Sequence, residues 1–148
     1  MSHKNIFDIK LAGRQDLPAI ESINKHFEDK EYSHVDSFFE QGIDGHRVFV
    51  AYKDGKPAGY LIWQLLWGNT PFLALLRIIP ECRGEGLGSE LVEMLCYELK
   101  EVGFKALISS SEAVNEGGKK FHEKMGFEQI GELDMIFGKE VFYKRTLD

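Results

Sequence analysis

The residues best suited to chemistry fall in one stretch, Ile79-Pro80-Glu81-Cys82-Arg83-Gly84-Glu85-Gly86-Leu87-Gly88-Ser89. Gly84, Gly86 and Gly88 occupy alternate positions, and Arg83 opens the run. Glycine adopts backbone conformations that other residues avoid, so alternating glycines let a chain turn tightly and aim several N–H groups at one point. The strongly patterned helix that follows adds its unpaired first N–H groups and the positive end of its dipole. With the charge of Arg83, the stretch is a cradle for a pyrophosphate. The competing reading is a flexible connection whose glycines merely cap the flanking elements. Turn chemistry alone does not require three spaced glycines and an arginine at a strand-to-helix junction.

Two common phosphate sites are excluded or weakened by what is missing. A Walker loop needs Gly-Lys followed by Ser or Thr, which does not occur here. A Gly-x-Gly-x-x-Gly dinucleotide fingerprint counted from Gly84 and Gly86 puts its third glycine at 89, where Ser89 stands. Glu112, near the end of the next strand, imitates the ribose-binding acid of that fold. The loop, however, comes mid-chain after an antiparallel hairpin, not in a first βαβ unit.

The bulk properties set the frame. A chain of 148 residues is expected to form one domain spanning 1–148. Its 24 acidic and 18 basic side chains give a net charge of −6, which argues against a nucleic-acid partner because affinity for phosphate backbones comes from Lys and Arg. Cys82 and Cys96 are the only cysteines and suggest neither a disulfide framework nor a metal knuckle. His3, His26, His34 and His46 lack metal-ligand spacing, so no metal is expected. The opening MSHKNIFDIK does not read as a signal peptide. The longest apolar run, residues 72–79, contains Arg77 and is too short to cross a bilayer. The expectation is a cytoplasmic protein with no membrane partner.

The elements that must position the cradle follow from periodicity. Residues 5–11 alternate apolar and polar side chains and predict a strand. Asp16 and Pro18 predict the start of a helix that runs to about residue 26, and a shorter helix is expected over 35–41. Residues 47–52 and 58–66 predict strands joined through Asp54-Gly55, a strong hairpin signal. Pro71 introduces a strand over 72–79. Leu91, Val92, Leu95, Leu99 and Val102 mark the buried stripe of a helix over 89–102, which Gly103 stops. A strand over 105–109, a helix over 117–125 and strands over 127–132 and 140–146 complete the order β-α-α-β-β-β-α-β-α-β-β. That is a mixed α/β layer fold with an antiparallel first half and a strand–helix–strand crossover in the second.

At the cradle the sequence resembles the GNAT superfamily of acyl-CoA-dependent N-acetyltransferases. Arg83, Gly86 and Gly88 match its Arg/Gln-x-x-Gly-x-Gly/Ala signature, and the wider phrase from Ile78 to Ser89 fits as well. Asn115, Phe121, Gly126 and Phe127 in NEGGKKFHEKMGF match a second motif in register, and the order of elements agrees over essentially the whole chain. The resemblance implies a mostly antiparallel central sheet of about six to seven strands flanked by helices, with a splayed strand pair holding acyl-CoA. It further implies that backbone groups of Leu76, Arg77 and Ile78 bind the pantetheine arm. The amides of Gly84, Glu85, Gly86, Leu87, Gly88 and Ser89, beside Arg83, would take the pyrophosphate, and Asn115 would touch the arm. Acetyl-CoA would serve as co-substrate, with a backbone N–H near Ile78 facing the thioester oxygen.

Two positions depart from the family pattern. Many relatives carry a Tyr seven residues after the Asn to protonate the departing thiolate; here that place holds His122, which can serve as the acid or simply pack. Some relatives carry a catalytic Glu five residues before the Asn, where this chain has Ser110. Glu112 is then the nearest carboxylate to act as base, with water-relayed deprotonation as the alternative.

On the acceptor side, Glu28, Asp29, Glu31, Asp36, Glu40 and Asp44 interleave with Phe27, Tyr32, Phe38 and Phe39. This segment is either a wall for a cationic amine or a solvated face over buried rings. Trp63, Trp67 and Phe72 line the same pocket or pack the core. Arg77, inside an apolar strand, needs a partner: a carboxylate on the acceptor, Glu112 or another acid. The expected activity is transfer of an acetyl group from acetyl-CoA to a primary amine of a small molecule or peptide. A non-catalytic acyl-CoA sensor of the same fold is the alternative, and a homodimer is compatible with both.

Overall fold

The computed structural model describes residues 6–27 and 36–148. Among these residues lie seven strands and four α-helices, and the strands follow the order β1-β2-β3-β4-β5-β7-β6 in a mostly antiparallel sheet. The strands are β1 (Asp8–Leu11), β2 (Val48–Lys53), β3 (Lys56–Leu66), β4 (Thr70–Ile78), β5 (Ala106–Glu112), β6 (Glu128–Met135) and β7 (Gly138–Thr146). The helices are α1 (Leu17–Asn24), α2 (Asp36–Asp44), α3 (Leu87–Val102) and α4 (Glu116–Lys124). The chain divides into two compact units, one of Met1–Trp63 with Leu75–Val92 and one of Gln64–Ala74 with Glu93–Asp148, so that β3, β4 and α3 each contribute to both.

In the first unit β1 pairs antiparallel with β2 from Asp8↔Tyr52 to Leu11↔Phe49, and β2 pairs with β3 from Val48↔Ile62 to Lys53↔Lys56. The Asp54-Gly55 turn has positive φ at both residues, 51° and 78°, the conformation that fits the twist of a two-residue hairpin. Val48, Val50, Tyr60 and Ile62 are fully buried, as are Ala51, Ala58 and Leu61. Tyr60 meets Phe39 of α2 edge-on at 5.7 Å, so this part of the expected aromatic wall is core. Gly59 marks a close approach. A Cβ there would lie 2.8 Å from the carbonyl oxygen of Arg77 and 3.2 Å from Leu87 Cδ2, so glycine is what lets β3 sit against β4 and the first residue of α3.

The expected first helix is broken into three pieces. A 3-10 turn over Arg14–Asp16 precedes α1, and another over Lys25–Phe27 follows it. Asp16 does not cap α1 with its side chain. Its carboxylate turns back to accept the Gly13 N–H at 2.9 Å and the Tyr52 hydroxyl at 2.6 Å, with Lys10 Nζ at 3.3 Å. A carboxylate only 2% exposed needs such partners. Burial pushes Asp16 up, but these bonds outweigh it and hold the group below its ordinary value, while burial and the carboxylate push Tyr52 to about 12. The α2 helix runs on to Asp44; Val35, expected to begin it, lies outside the described residues.

In the second unit β5 runs parallel to β4 at the register position Phe72↔Ile108 and antiparallel to β7 from Ala106↔Thr146 to Glu112↔Glu140. The β6–β7 hairpin is longer than expected, because β6 continues through Leu133 to Met135 on an exposed edge where apolar and polar residues no longer alternate by burial. Gly103, at φ 108°, stops α3, and Phe104 N–H returns to the Leu99 carbonyl. Arg145 of β7 grips Glu93 of α3 with two bonds of 2.8 and 3.1 Å.

The approach at Gly59 gives a direct check. Gly59→Ala is expected to lower stability by about 1–3 kcal/mol, because a backbone oxygen cannot yield as a side-chain tip can. Urea unfolding measures it, and an unchanged midpoint would show that β3 is not held as tightly as described.

Candidate active site

The cradle is built where β4 gives way to α3. Ile79 N–H donates to the Ala58 carbonyl and Cys82 N–H to Ile79, so the chain is tied down as it leaves the strand. Gly84 and Gly86 then take φ of 80° and 87°, conformations strained for any other residue, and nothing lies within 4 Å of the place a Cβ would take on either. The next backbone bond is Glu90 N–H to Gly86. Among the described residues, the six amides from Gly84 to Ser89 therefore find no acceptor. They stand at the N-terminus of a 16-residue helix that begins at Leu87, two residues earlier than expected, where the dipole adds to their positive potential.

Side chains adjust the charge of this turn. Glu85 would oppose an anion, but Lys53 holds its carboxylate at 2.8 and 3.1 Å. Arg83 donates from Nε to the Ile78 carbonyl at 3.3 Å and lies over the Phe27 ring at 5.5 Å. Arg77 lies over the same ring at 5.1 Å and donates to Asn24 Oδ1 at 2.8 Å. Tyr60 donates to that same oxygen at 2.6 Å, and its burial pushes its hydroxyl to about 12. Leu76 and Ile78 flank Arg77 on β4, half-buried. Cys82 is buried beside the turn, and burial pushes its thiol up, away from a nucleophile's role.

The second unit holds the other expected residues. Asn115 is the N-cap of α4, its Oδ1 accepting the Gly118 N–H at 2.9 Å. His122 is 7% exposed. Its Nδ1 donates to the Gly118 carbonyl at 2.7 Å, so in the neutral ring Nε2 accepts from Ser109 Oγ at 2.8 Å. The ring stacks on Tyr143 at 4.0 Å, and Tyr143 in turn shares a bond with Ser111. No ring nitrogen is left for a ligand. Burial pushes His122 down, with the Gly118 bond opposing only in part.

Glu112 ends β5, exposed and paired in the ladder with Glu140. Glu140 is the carboxylate the linear sequence does not single out: its Oε2 accepts from Ser110 Oγ at 2.7 Å, and it is half-buried. Only the β5–β7 register brings it there. Of the expected acceptor residues, Asp44 is paired with Arg14 at 2.6 Å, and Phe72 packs on Phe142. Trp67 is 88% exposed on a positive-φ turn, while Trp63 has a buried Nε1 with no partner among the described residues. Glu28, Asp29, Glu31 and Tyr32 lie outside those residues. Among the described residues no group of His, Cys, Asp and Glu is arranged to hold a metal, and no helix is long and apolar enough to cross a membrane.

Two measurements follow from this geometry. Gly86→Val should weaken coenzyme A binding at least about tenfold, because the side chain enters the space the amides face and strains a φ of 87°. Undiminished binding by calorimetry would defeat the cradle. For His122 the native state binds its proton less readily than the unfolded chain, so its contribution to stability is present above about pH 6.5 and is lost as pH falls below that. Between about pH 7.5 and about pH 5.5 the unfolding midpoint should therefore drop more in the wild type than in His122→Gln. Equal drops would mean that the ring titrates normally.

The sequence matches the acetyltransferase (GNAT) family over residues 16–127, well over half of the chain. An uncharacterized N-acetyltransferase of Methanocaldococcus jannaschii is 26% identical over 122 residues, which are 80% of this chain and 76% of that protein. The fold is shared with an N-acetyltransferase of Staphylococcus aureus Mu50, at TM-score 0.82 and 24% identity over 96% of this chain and 99% of that one. It is shared as well with Arabidopsis thaliana Naa50 in complex with the bisubstrate analogue CoA-Ac-MVNAL, at TM-score 0.83 and 16% identity over 95% and 99%. This chain thus belongs to the acetyltransferase (GNAT) family, and its activity is acetyl-CoA-dependent N-acetyl transfer.

Proposed function

We propose that this chain is a single catalytic domain that acts in the cytoplasm and acetylates a primary amine of a small molecule or peptide by direct attack on the thioester. The observation that carries the reading is the run of amides from Gly84 to Ser89 without acceptors among the described residues, at the start of α3. These amides and Arg83 take the pyrophosphate of acetyl-CoA. The backbone of Leu76, Arg77 and Ile78 takes the pantetheine arm, and Asn115 presents its Nδ2 to it, since Oδ1 is committed to Gly118. Two free, buried cysteines suit a reducing compartment. The Arabidopsis protein of the same fold holds an analogue that joins coenzyme A to the peptide MVNAL, which supports a peptide as one acceptor class.

Acetyl-CoA supplies an activated carbonyl; the protein must hold it, polarise it and remove a proton from the amine. The Ile78 N–H donates to the carbonyl oxygen as charge develops there. The amine proton goes to a carboxylate or to water: Glu140, fixed by Ser110, is the first candidate and exposed Glu112 the second. His122 is a positioning residue that fastens α4 to β5 through Ser109, while solvent protonates the departing thiolate.

Thiol release from acetyl-CoA across a panel of amines tests the reaction. Release with at least one amine is expected, whereas coenzyme A binding with no release from any amine would favour a sensor. Within an active pair, Glu140→Gln should lower kcat at least about tenfold with coenzyme A affinity unchanged, and Glu112→Gln less than about threefold. Comparable turnover in Glu140→Gln would take that carboxylate out of the proton's path.

A further inference from the structure

Arg77 carries a charge that no described carboxylate answers. Its guanidinium is held by three neutral groups, the Asn24 amide oxygen at 2.8 Å, the face of Phe27 at 5.1 Å and the Tyr60 hydroxyl. Neither it nor Arg83, over the same ring at 5.5 Å, takes part in an ion pair among the described residues. Two guanidiniums therefore share one aromatic ring with no acid between them among the described residues. The mount is rigid: Asn24 Oδ1 also accepts from Tyr60, which is fully buried and braced edge-on by Phe39. A charge held in place, with no carboxylate partner among the described residues and N–H donors to spare, is suited to a planar, bidentate anion.

We propose that Arg77 binds a carboxylate of the acceptor and so restricts the enzyme to amines that carry one nearby. The inference rests on the acetyltransferase reading above. Arg77 directly precedes Ile78, whose N–H faces the thioester oxygen in that reading, and successive strand residues are about 3.3 Å apart. An acceptor anchored on Arg77 by its carboxylate has its amine only a few bonds from that anchor. A carboxamide of the same shape offers one acceptor oxygen and no charge, so it leaves the arginine poorly matched.

The test compares matched acceptors with the full chain and acetyl-CoA: free amino acids and dipeptides against the same molecules with an amidated C-terminus. Thiol release should give kcat/KM at least about tenfold higher for the acids. Arg77→Gln should abolish that preference, bringing the acid-to-amide ratio of kcat/KM down about tenfold to near one, and Arg77→Lys should keep part of it. Equal turnover of acids and amides by the wild type would overturn the proposal and leave the acetyltransferase reading intact. So would a loss in Arg77→Gln of the same size for both, which marks a purely structural arginine. Coenzyme A binding with no thiol release from any acceptor would overturn both together.

Discussion

The site depends on how a protein treats backbone N–H groups it cannot satisfy. Each amide is an obligatory donor, and helices begin with donors that have no partner inside the helix. At most helix starts a side chain fills this need. Here Gly84 and Gly86, at positive φ, carry the chain into α3 so that six consecutive amides lack acceptors among the described residues. No Ser, Thr, Asp or Asn precedes Leu87 to cap it, because the preceding positions are glycine, glutamate and glycine. A turn built in this way is more comfortable with an anion than without one.

The surroundings follow from that constraint. The turn must be anchored on both sides, and Gly59 provides the anchor by letting β3 lie against β4 and Leu87 without intervening side-chain bulk. The one acid within the turn must not repel the ligand, and Lys53 holds it. On the β4 side, Arg77 and Arg83 share the Phe27 ring, so the cationic character extends beyond the amides. The second unit uses a different device. Side chains on three successive serines of β5 reach His122, Glu140 and Tyr143, which ties α4 and β7 to the strand.

What the sequence made legible was local. Spaced glycines, the Asp54-Gly55 turn, the apolar stripe of α3 and the stop at Gly103 each act through neighbours in the chain and are found where the pattern placed them, except that the stripe ends at Leu99 and Val102, in the last turn, is exposed. The order of strands and helices matches the pattern for the same reason. Side-chain roles set by distant partners were not legible. Asp16 reads as a helix cap until Tyr52 and Lys10 arrive from other strands. His122 reads as an acid until Ser109 and Gly118 occupy both its nitrogens. Glu140 lies 30 residues from Ser110 and has no motif of its own; only strand register joins them.

The most direct test is to follow the backbone amide resonances of residues 84–89 while coenzyme A is added, with pantetheine, which lacks the pyrophosphate, as the control. Coenzyme A should shift these amides strongly and slow their hydrogen exchange, while pantetheine should leave them nearly unmoved. If both ligands leave them unmoved, or if these amides are already protected in the free protein, the turn is not a phosphate site.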